Sequence, residues 1–117
     1  MKGSEKQVAW ANEIRSAYAT LETKIESAIA AVERGEKPNN EHEATARIIS
    51  KLIDYTEYQT ENHLIDTYAE SLVSQGRKYI KDVYFVAMKM FYEMNLRILR
   101  TAIDSQDDAK YWIDRRF

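Results

Sequence analysis

Two histidines and two pairs of glutamates are the residues of this chain that could support metal or catalytic chemistry. His42 opens a segment that begins like the H-E-x-x-H zinc motif, but Ala46 stands where the second zinc ligand is required. Di-iron sites in helical bundles need Glu-x-x-His pairs, whereas the residues three before His42 and His63 are Asn39 and Thr60. Because the chain has no cysteine, disulfides, thiolate zinc sites and a cysteine nucleophile are excluded.

The glutamates are spaced one helical turn apart, as Glu22 with Glu26 and Glu57 with Glu61. Such pairs could hold a hard cation with the help of waters, but we interpret them as solvated charge on exposed helix faces. The three glycines are isolated, so no glycine-rich phosphate loop is present, and no nucleophile elbow marks a serine. We therefore predict a non-enzymatic protein with no catalytic residue, no cofactor and no metal site.

Composition predicts the kind of fold that positions these residues. The 117 residues are enough for one domain, spanning 1–117, and one proline with three glycines favours helices. The net charge is −2, with acidic side chains in excess up to Gly76 and basic side chains in excess after it. The N-terminus is polar and the longest apolar stretch is too short for a bilayer, so we expect a cytoplasmic protein without membrane contact.

Hydrophobic spacing predicts three long helices. The first carries apolar residues three and four apart from Ala11 to Val32 and ends near Gly35. A second helix is capped by Asn39 or Asn40 and continues toward Leu72; whether it runs through the polar residues 56–63 or kinks there is open. A third follows Gly76 and is apolar on two faces.

A short fourth helix is predicted after Asp104 or Ser105, either of which could cap it. The predicted fold is therefore all-α, an antiparallel helical bundle of three long helices plus one short C-terminal helix.

Both tryptophans lie near the ends of the chain, within two short motifs. Residues 4–11 read S-E-K-Q-V-A-W-A, in which Ser4 and Gln7 form a capping box that starts the first helix. Residues 109–116 read A-K-Y-W-I-D-R-R. With this pair of motifs the chain resembles a loose group of small uncharacterised helical proteins from bacterial and phage genomes, which open with S/T-E-K-Q-x-x-W-A and close with A-K-W-W-I-D-x-R. Tyr111 replaces the first tryptophan of the closing motif. The resemblance implies an accessory or host-inhibiting protein of a phage or mobile element.

The end motifs supply the first candidate binding surface. Cations stand beside aromatic side chains there, a composition that suits a protein interface. The candidate partner-binding residues are Lys6, Trp10, Lys110, Trp112, Arg115, Arg116 and Phe117. The alternative is structural, with the tryptophans anchoring the core and the last residues frayed.

The third helix supplies two further candidates. Its cations alternate with aromatics, which could grip phosphates and stack on bases of DNA or RNA, or could snorkel from the edge of a core. The candidate nucleic-acid residues are Arg77, Lys78, Lys81, Arg97, Arg100, Arg115 and Arg116. Its second apolar face, with Phe85, Met88, Tyr92 and Leu99, suits either a homodimer interface or burial under the other helices.

The prediction for function is a protein-binding module that covers a surface of a larger partner. The alternative is an accessory protein that binds nucleic acid through the third helix and the Arg-Arg-Phe tail.

Overall fold

The described part of the chain is helical, which confirms the all-α prediction. The computed structural model describes residues 1–53, 66–67, 69–71, 73–74 and 80–117. The helices whose bounds are described are α1 (Glu5–Ala19), α2 (Leu21–Glu33), α3 (Asn40–Ile49), α4 (Ile80–Ser105) and α5 (Ala109–Asp114), with a 3-10 turn at Ser50–Leu52 after α3. Within the described ranges, none of these helices is both long enough and apolar enough to cross a bilayer.

The start of α1 has the predicted capping box. The Gln7 amide donates to Ser4 Oγ at 3.2 Å, and the Ser4 amide donates to Gln7 Oε1 at 3.0 Å. Two amides of the first turn that would otherwise lack partners are satisfied, so α1 begins where the sequence places it.

The prediction of one helix from Ser4 to Gly35 is wrong, because the structure breaks it at Thr20. The Thr20 amide still makes a helical bond to the Ser16 carbonyl at 3.2 Å, but the Thr20 hydroxyl donates back to the Ala17 carbonyl at 2.7 Å. Threonine that bonds back in this way bends a helix. The break divides the packing, since α1 lies mainly against α5 and α2 mainly against α4.

The turn between α2 and α3 follows the predicted pattern. Gly35 has a φ of +74°, and the Glu36 amide donates to the Ala31 carbonyl at 2.9 Å. Asn39 caps α3, because its Oδ1 accepts from the His42 amide at 3.2 Å while His42 Nδ1 accepts from the Asn39 amide at 3.3 Å. His42 therefore takes the place that glutamine or glutamate has in the usual capping box.

The predicted second long helix is interrupted early, although the described residues 66–67, 69–71 and 73–74 are helical. The α-helical backbone stops at Ile49, a 3-10 turn follows, and Ile53 is extended with φ −124° and ψ 165°. The prediction of a helix that continues without a break as far as residue 56 is therefore wrong at Ile53. Whether the chain is helical through 56–63 lies outside the described residues.

Ion pairs show that α4 runs antiparallel to α2. Arg100, late in α4, contacts Glu22 at 2.7 Å and Glu26 at 2.8 Å, whereas Lys89, early in α4, contacts Glu33 at 3.1 Å. Beneath them lies the core, whose largest fully buried side chains are Trp112, Tyr18, Tyr92, Ile25, Ile49, Leu99 and Asn95.

Half of the predicted dimer face belongs to this core. Tyr92 and Leu99 are 1% and 0% exposed, so their prediction as oligomer contacts is wrong: they already pack within the protein. Phe85 and Met88 are half-buried against the same core.

The last helix starts later than predicted. Since α4 continues through Ser105, neither Asp104 nor Ser105 caps a new helix. Asp108 does so, because its Oδ1 accepts from the Lys110 amide at 3.0 Å.

Candidate partner-binding surface

The two ends of the chain meet at α1 and α5. The Lys2 amide donates to the Asp107 carbonyl at 2.9 Å, and the Ala109 amide donates to the Lys2 carbonyl at 2.8 Å, which forms a short parallel bridge. Gly3, with a φ of +136°, lies so close that a Cβ there would be 2.9 Å from the Ala109 Cβ. The residues before α1 thereby fix the start of α5.

Trp112 is the centre of this contact and is fully buried, at 0% exposed. Its ring lies 5.7 Å from that of Tyr18 and 5.1 Å from that of Tyr111, and its Nε1 donates to the Gln106 carbonyl at 3.1 Å. The prediction of Trp112 as a partner contact is therefore wrong, because neither its ring nor its N–H is available to a partner.

Two phenols tie α5 and the tail to the body of the protein. Tyr18 donates to the Arg115 carbonyl, and Tyr111 donates to the Leu52 carbonyl. Burial, helped by the nearby Tyr111 and opposed by Arg115, raises the pKa of Tyr18 to about 12. The Tyr18 phenol is therefore protonated at neutral pH and can donate to the carbonyl.

Two large apolar side chains stand exposed above this buried layer. Trp10 is 45% exposed and Phe117 is 56% exposed. The Phe117 ring meets the Tyr18 ring edge to face at 4.8 Å, and the Arg116 guanidinium lies 5.4 Å from the centroid of Trp10. Contacts from within the protein therefore restrain both exposed rings.

The two arginines of the tail interact with carbonyls and rings. Arg115 lies 3.8 Å above the Tyr111 ring, donates to the Tyr111 carbonyl at 3.0 Å, and has a buried Nε with no hydrogen-bond partner. Arg116 donates to the Ile113 carbonyl at 2.7 Å. Both guanidiniums thus lie at the C-terminal end of α5, where its dipole favours positive charge.

Lysines lie on both helices beside these groups. Lys6 is exposed one turn before Trp10 on α1, and Lys110 is exposed on α5. We call the exposed set Lys6, Trp10, Arg116 and Phe117 the terminal surface. Of the seven predicted partner contacts, these four stay together at the surface, Lys110 and the half-buried Arg115 lie on the adjoining α5 and tail, and Trp112 is core.

The predicted nucleic-acid residues do not form one described patch. Arg97 is exposed on α4, but Arg100 is engaged by Glu22 and Glu26. Arg77, Lys78 and the side chain of Lys81 lie outside the described residues.

The structure describes only one of the two glutamate pairs that the sequence offered as cation ligands. Glu22 and Glu26 both bind Arg100, so this pair is neither open to a cation nor simply solvated. Glu57 and Glu61 lie outside the described residues. Among the residues that are described, no group of three or more histidine, aspartate or glutamate side chains is arranged to hold a metal ion.

An open groove of about 480 Å³ lies between α2 and α4. Its lining residues are Ile29, Glu93, Leu96, Arg97, Arg100, Thr101 and Asp104. The mixture of charged and apolar side chains is what the edge of a packed helix pair presents, and no histidine, cysteine or serine lines it.

Sequence reasoning missed the two tyrosines that support the terminal surface. Tyr18 was visible as a member of the apolar repeat of the first helix and Tyr111 as a part of the closing motif. Neither position indicates that its hydroxyl would reach a distant carbonyl, because those bonds join residues 97 and 59 positions apart.

Comparison with protein-family models, with curated proteins and with solved structures finds no match to this chain.

Proposed function

We propose that this chain is a non-enzymatic helical bundle that binds another protein through the terminal surface. One observation carries the proposal: Trp10 and Phe117 are large, exposed and restrained by Arg116 and Tyr18. Tryptophan, aromatic and arginine side chains dominate the energetics of protein interfaces. Rings already held in place lose little conformational freedom on binding, so more of their contact energy becomes affinity.

The proposal extends to the kind of role that such a module performs. A rigid patch on a small protein suits the covering of a surface on a larger partner, as expected of an accessory or host-inhibiting protein of a phage or mobile element. In that role the outward aromatic and cationic side chains carry the function, and an enclosed pocket is not needed.

Binding of DNA or RNA is the second candidate. An exposed tryptophan beside Arg116 is also the arrangement on which a single-stranded base can stack. The engagement of Arg100 by two glutamates argues against a continuous phosphate track along α4.

Affinity capture with matched surface variants tests the first candidate. Extracts of bacterial cells are passed over the immobilised protein and over Trp10→Ala, Phe117→Ala and Val73→Ala. Val73 is the control, since it is 57% exposed and belongs to neither end motif. We expect a captured protein that Val73→Ala retains and that each aromatic variant loses by about tenfold or more. Equal capture by all four proteins contradicts the assignment of the terminal surface.

Titration with labelled oligonucleotides tests the second candidate. Saturable binding whose affinity falls steeply with salt, and that Arg97→Ala and Arg116→Ala weaken, supports nucleic-acid binding. Absence of binding at low salt removes it.

A further inference from the structure

We propose that the partner contributes an acidic segment to the terminal surface, with a carboxylate directed at the Arg115–Arg116 pair and a neighbouring apolar side chain packed on Trp10 and Phe117. This inference rests on the proposed function and adds the chemistry of what is bound.

The charge of the tail arginines is the first support. Four cations on the body of the protein are paired with carboxylates of the same chain: Lys24 with Glu41, Arg34 with Glu36, Lys89 with Glu33, and Arg100 with Glu22. In the described part of the chain, Arg115 and Arg116 instead donate only to main-chain carbonyls. Their positive charge is therefore available to an external anion.

The environment of Arg115 also favours the binding of an external anion. Its side chain is half-buried against the Tyr111 ring, and its Nε is buried without a hydrogen-bond partner. A half-buried charge without a counter-ion costs free energy, which an approaching carboxylate would recover in part. Guanidinium is also suited to bidentate bonds with a planar carboxylate.

Arg116 places this charge beside the apolar part of the surface. Its guanidinium lies 5.4 Å from the centroid of Trp10, while Phe117 follows it directly in the chain. A segment that brings a carboxylate to Arg116 can therefore set a neighbouring apolar side chain on the exposed rings. Lys6, one turn before Trp10, adds a second cation at the rim.

The acidic side chains near the surface favour a peptide segment over a nucleic acid. Glu13 is exposed three residues after Trp10, on the same face of α1, and Asp114 is exposed beside Arg115. A polyphosphate chain would pass these carboxylates as well as the arginines, whereas a segment with one or two carboxylates can avoid them. The net charge of −2 repels a polyanion more strongly than it repels a segment with one or two carboxylates.

Selection from a random peptide library tests the chemistry without knowledge of the natural partner. Peptides are selected on the immobilised full chain, and a selected peptide is then titrated by fluorescence anisotropy. We expect enrichment of aspartate and glutamate next to an aromatic or aliphatic residue. Arg116→Ala should weaken binding about tenfold, and Glu13→Gln should strengthen it about two- to threefold, because it removes a repelling charge.

Lys51→Ala serves as the matched control, since Lys51 is an exposed cation of the 3-10 turn and does not belong to the terminal surface. Its affinity should equal that of the wild type. Circular dichroism and urea unfolding verify that each variant has kept its fold.

The outcomes separate this inference from the proposed function. Selected peptides that depend on Trp10 and Phe117 but lack acidic residues leave the surface assignment standing and overturn the acidic chemistry. Selected peptides that bind equally well to Trp10→Ala and Phe117→Ala overturn both. Displacement of an acidic peptide by a single-stranded oligonucleotide of higher affinity shows a site for polyanions and overturns the acidic-segment proposal.

Discussion

The hydrogen bond from Tyr18 to the Arg115 carbonyl makes a prediction that depends on pH. The side chain of Tyr18 is fully buried, and its pKa is raised from 10.0 to about 12. Replacing Tyr18 with phenylalanine keeps the ring contacts with Trp112 and Phe117 but removes the donor. At neutral pH, the loss of one such bond should lower the free energy of unfolding by about 1 kcal/mol.

The raised pKa means that the folded protein holds the phenolic proton more tightly than the unfolded chain does. This contribution is complete below the unfolded value of 10.0 and is lost as the pH rises toward about 12. At about pH 11 the wild type should already have lost about 1.3 kcal/mol through this group, whereas the Tyr18→Phe variant loses none. The stability difference of about 1 kcal/mol at neutral pH should therefore close by about pH 11.

Urea unfolding followed by circular dichroism, on both proteins from neutral pH to about pH 11, measures this difference. Subtraction of the two curves removes the contributions that the two proteins share and leaves those that involve the Tyr18 hydroxyl, including its interaction with Tyr111. A difference that stays constant across the range would refute the burial of the titrating phenol. A variant as stable as the wild type at neutral pH would refute the bond to the tail.

Four further substitutions probe the start of the last helix, a glycine turn and the core. Gly3→Val should lower the free energy of unfolding in urea by about 1 to 3 kcal/mol, because the new Cβ would clash with Ala109 and the φ at this position is positive. Gly35→Ala should lower it by only about 1 kcal/mol, because φ is also positive there but no atom lies near the new Cβ. Trp112→Ala should cost about 3 to 5 kcal/mol and remove most cooperative unfolding, which thermal denaturation would show. Asn95→Leu should keep the free energy of unfolding within about 1 kcal/mol of the wild type or raise it. Leucine has the same branching as asparagine, and the change removes a buried Oδ1 that has no hydrogen-bond partner. A loss of several kcal/mol would show that this oxygen does accept a hydrogen bond.

The parts of the fold that depend on local chemistry could be predicted from the sequence. The Ser4–Gln7 capping box, the glycine turn at Gly35 and the Asn39 cap all satisfy amides or carbonyls within a few residues, so their signals are local. The all-α class follows from composition and from the apolar repeats.

The predictions that were wrong concern helix ends whose positions depend on tertiary contacts. An unbroken apolar repeat across Thr20 predicted one helix, but its halves pack on different helices, and the threonine hydroxyl bends the backbone between them. Asp104 and Ser105 have good capping chemistry, yet α4 continues past them until Asp108 caps the helix that Trp112 anchors in the core. Local propensity cannot rank several acceptable caps when the burial of the following tryptophan, Trp112, determines which of them is used.

The sequence predicted where the candidate site lies. It did not predict which residues of the site are buried in the core and which are exposed. Sequence reasoning grouped Trp10 with Trp112 because both are tryptophans in end motifs, although one is 45% exposed and the other is 0% exposed. The parallel contact of α1 with α5 places Trp112 inward, against Tyr18, and leaves Trp10 outward beside Arg116.

The distinction between these two tryptophans changes what the end motifs mean. Ser4, Gln7, Ala109 and Trp112 serve the fold, since they cap a helix, admit the close approach of Gly3 or fill the core. Only the outward positions of the motifs are free to contact a partner, because a buried side chain cannot change affinity except by changing the fold. A substitution at a buried position would therefore lower stability and binding together. A substitution at Trp10 should lower binding alone, and this separation is the measurable difference between a motif kept for folding and a surface used for recognition.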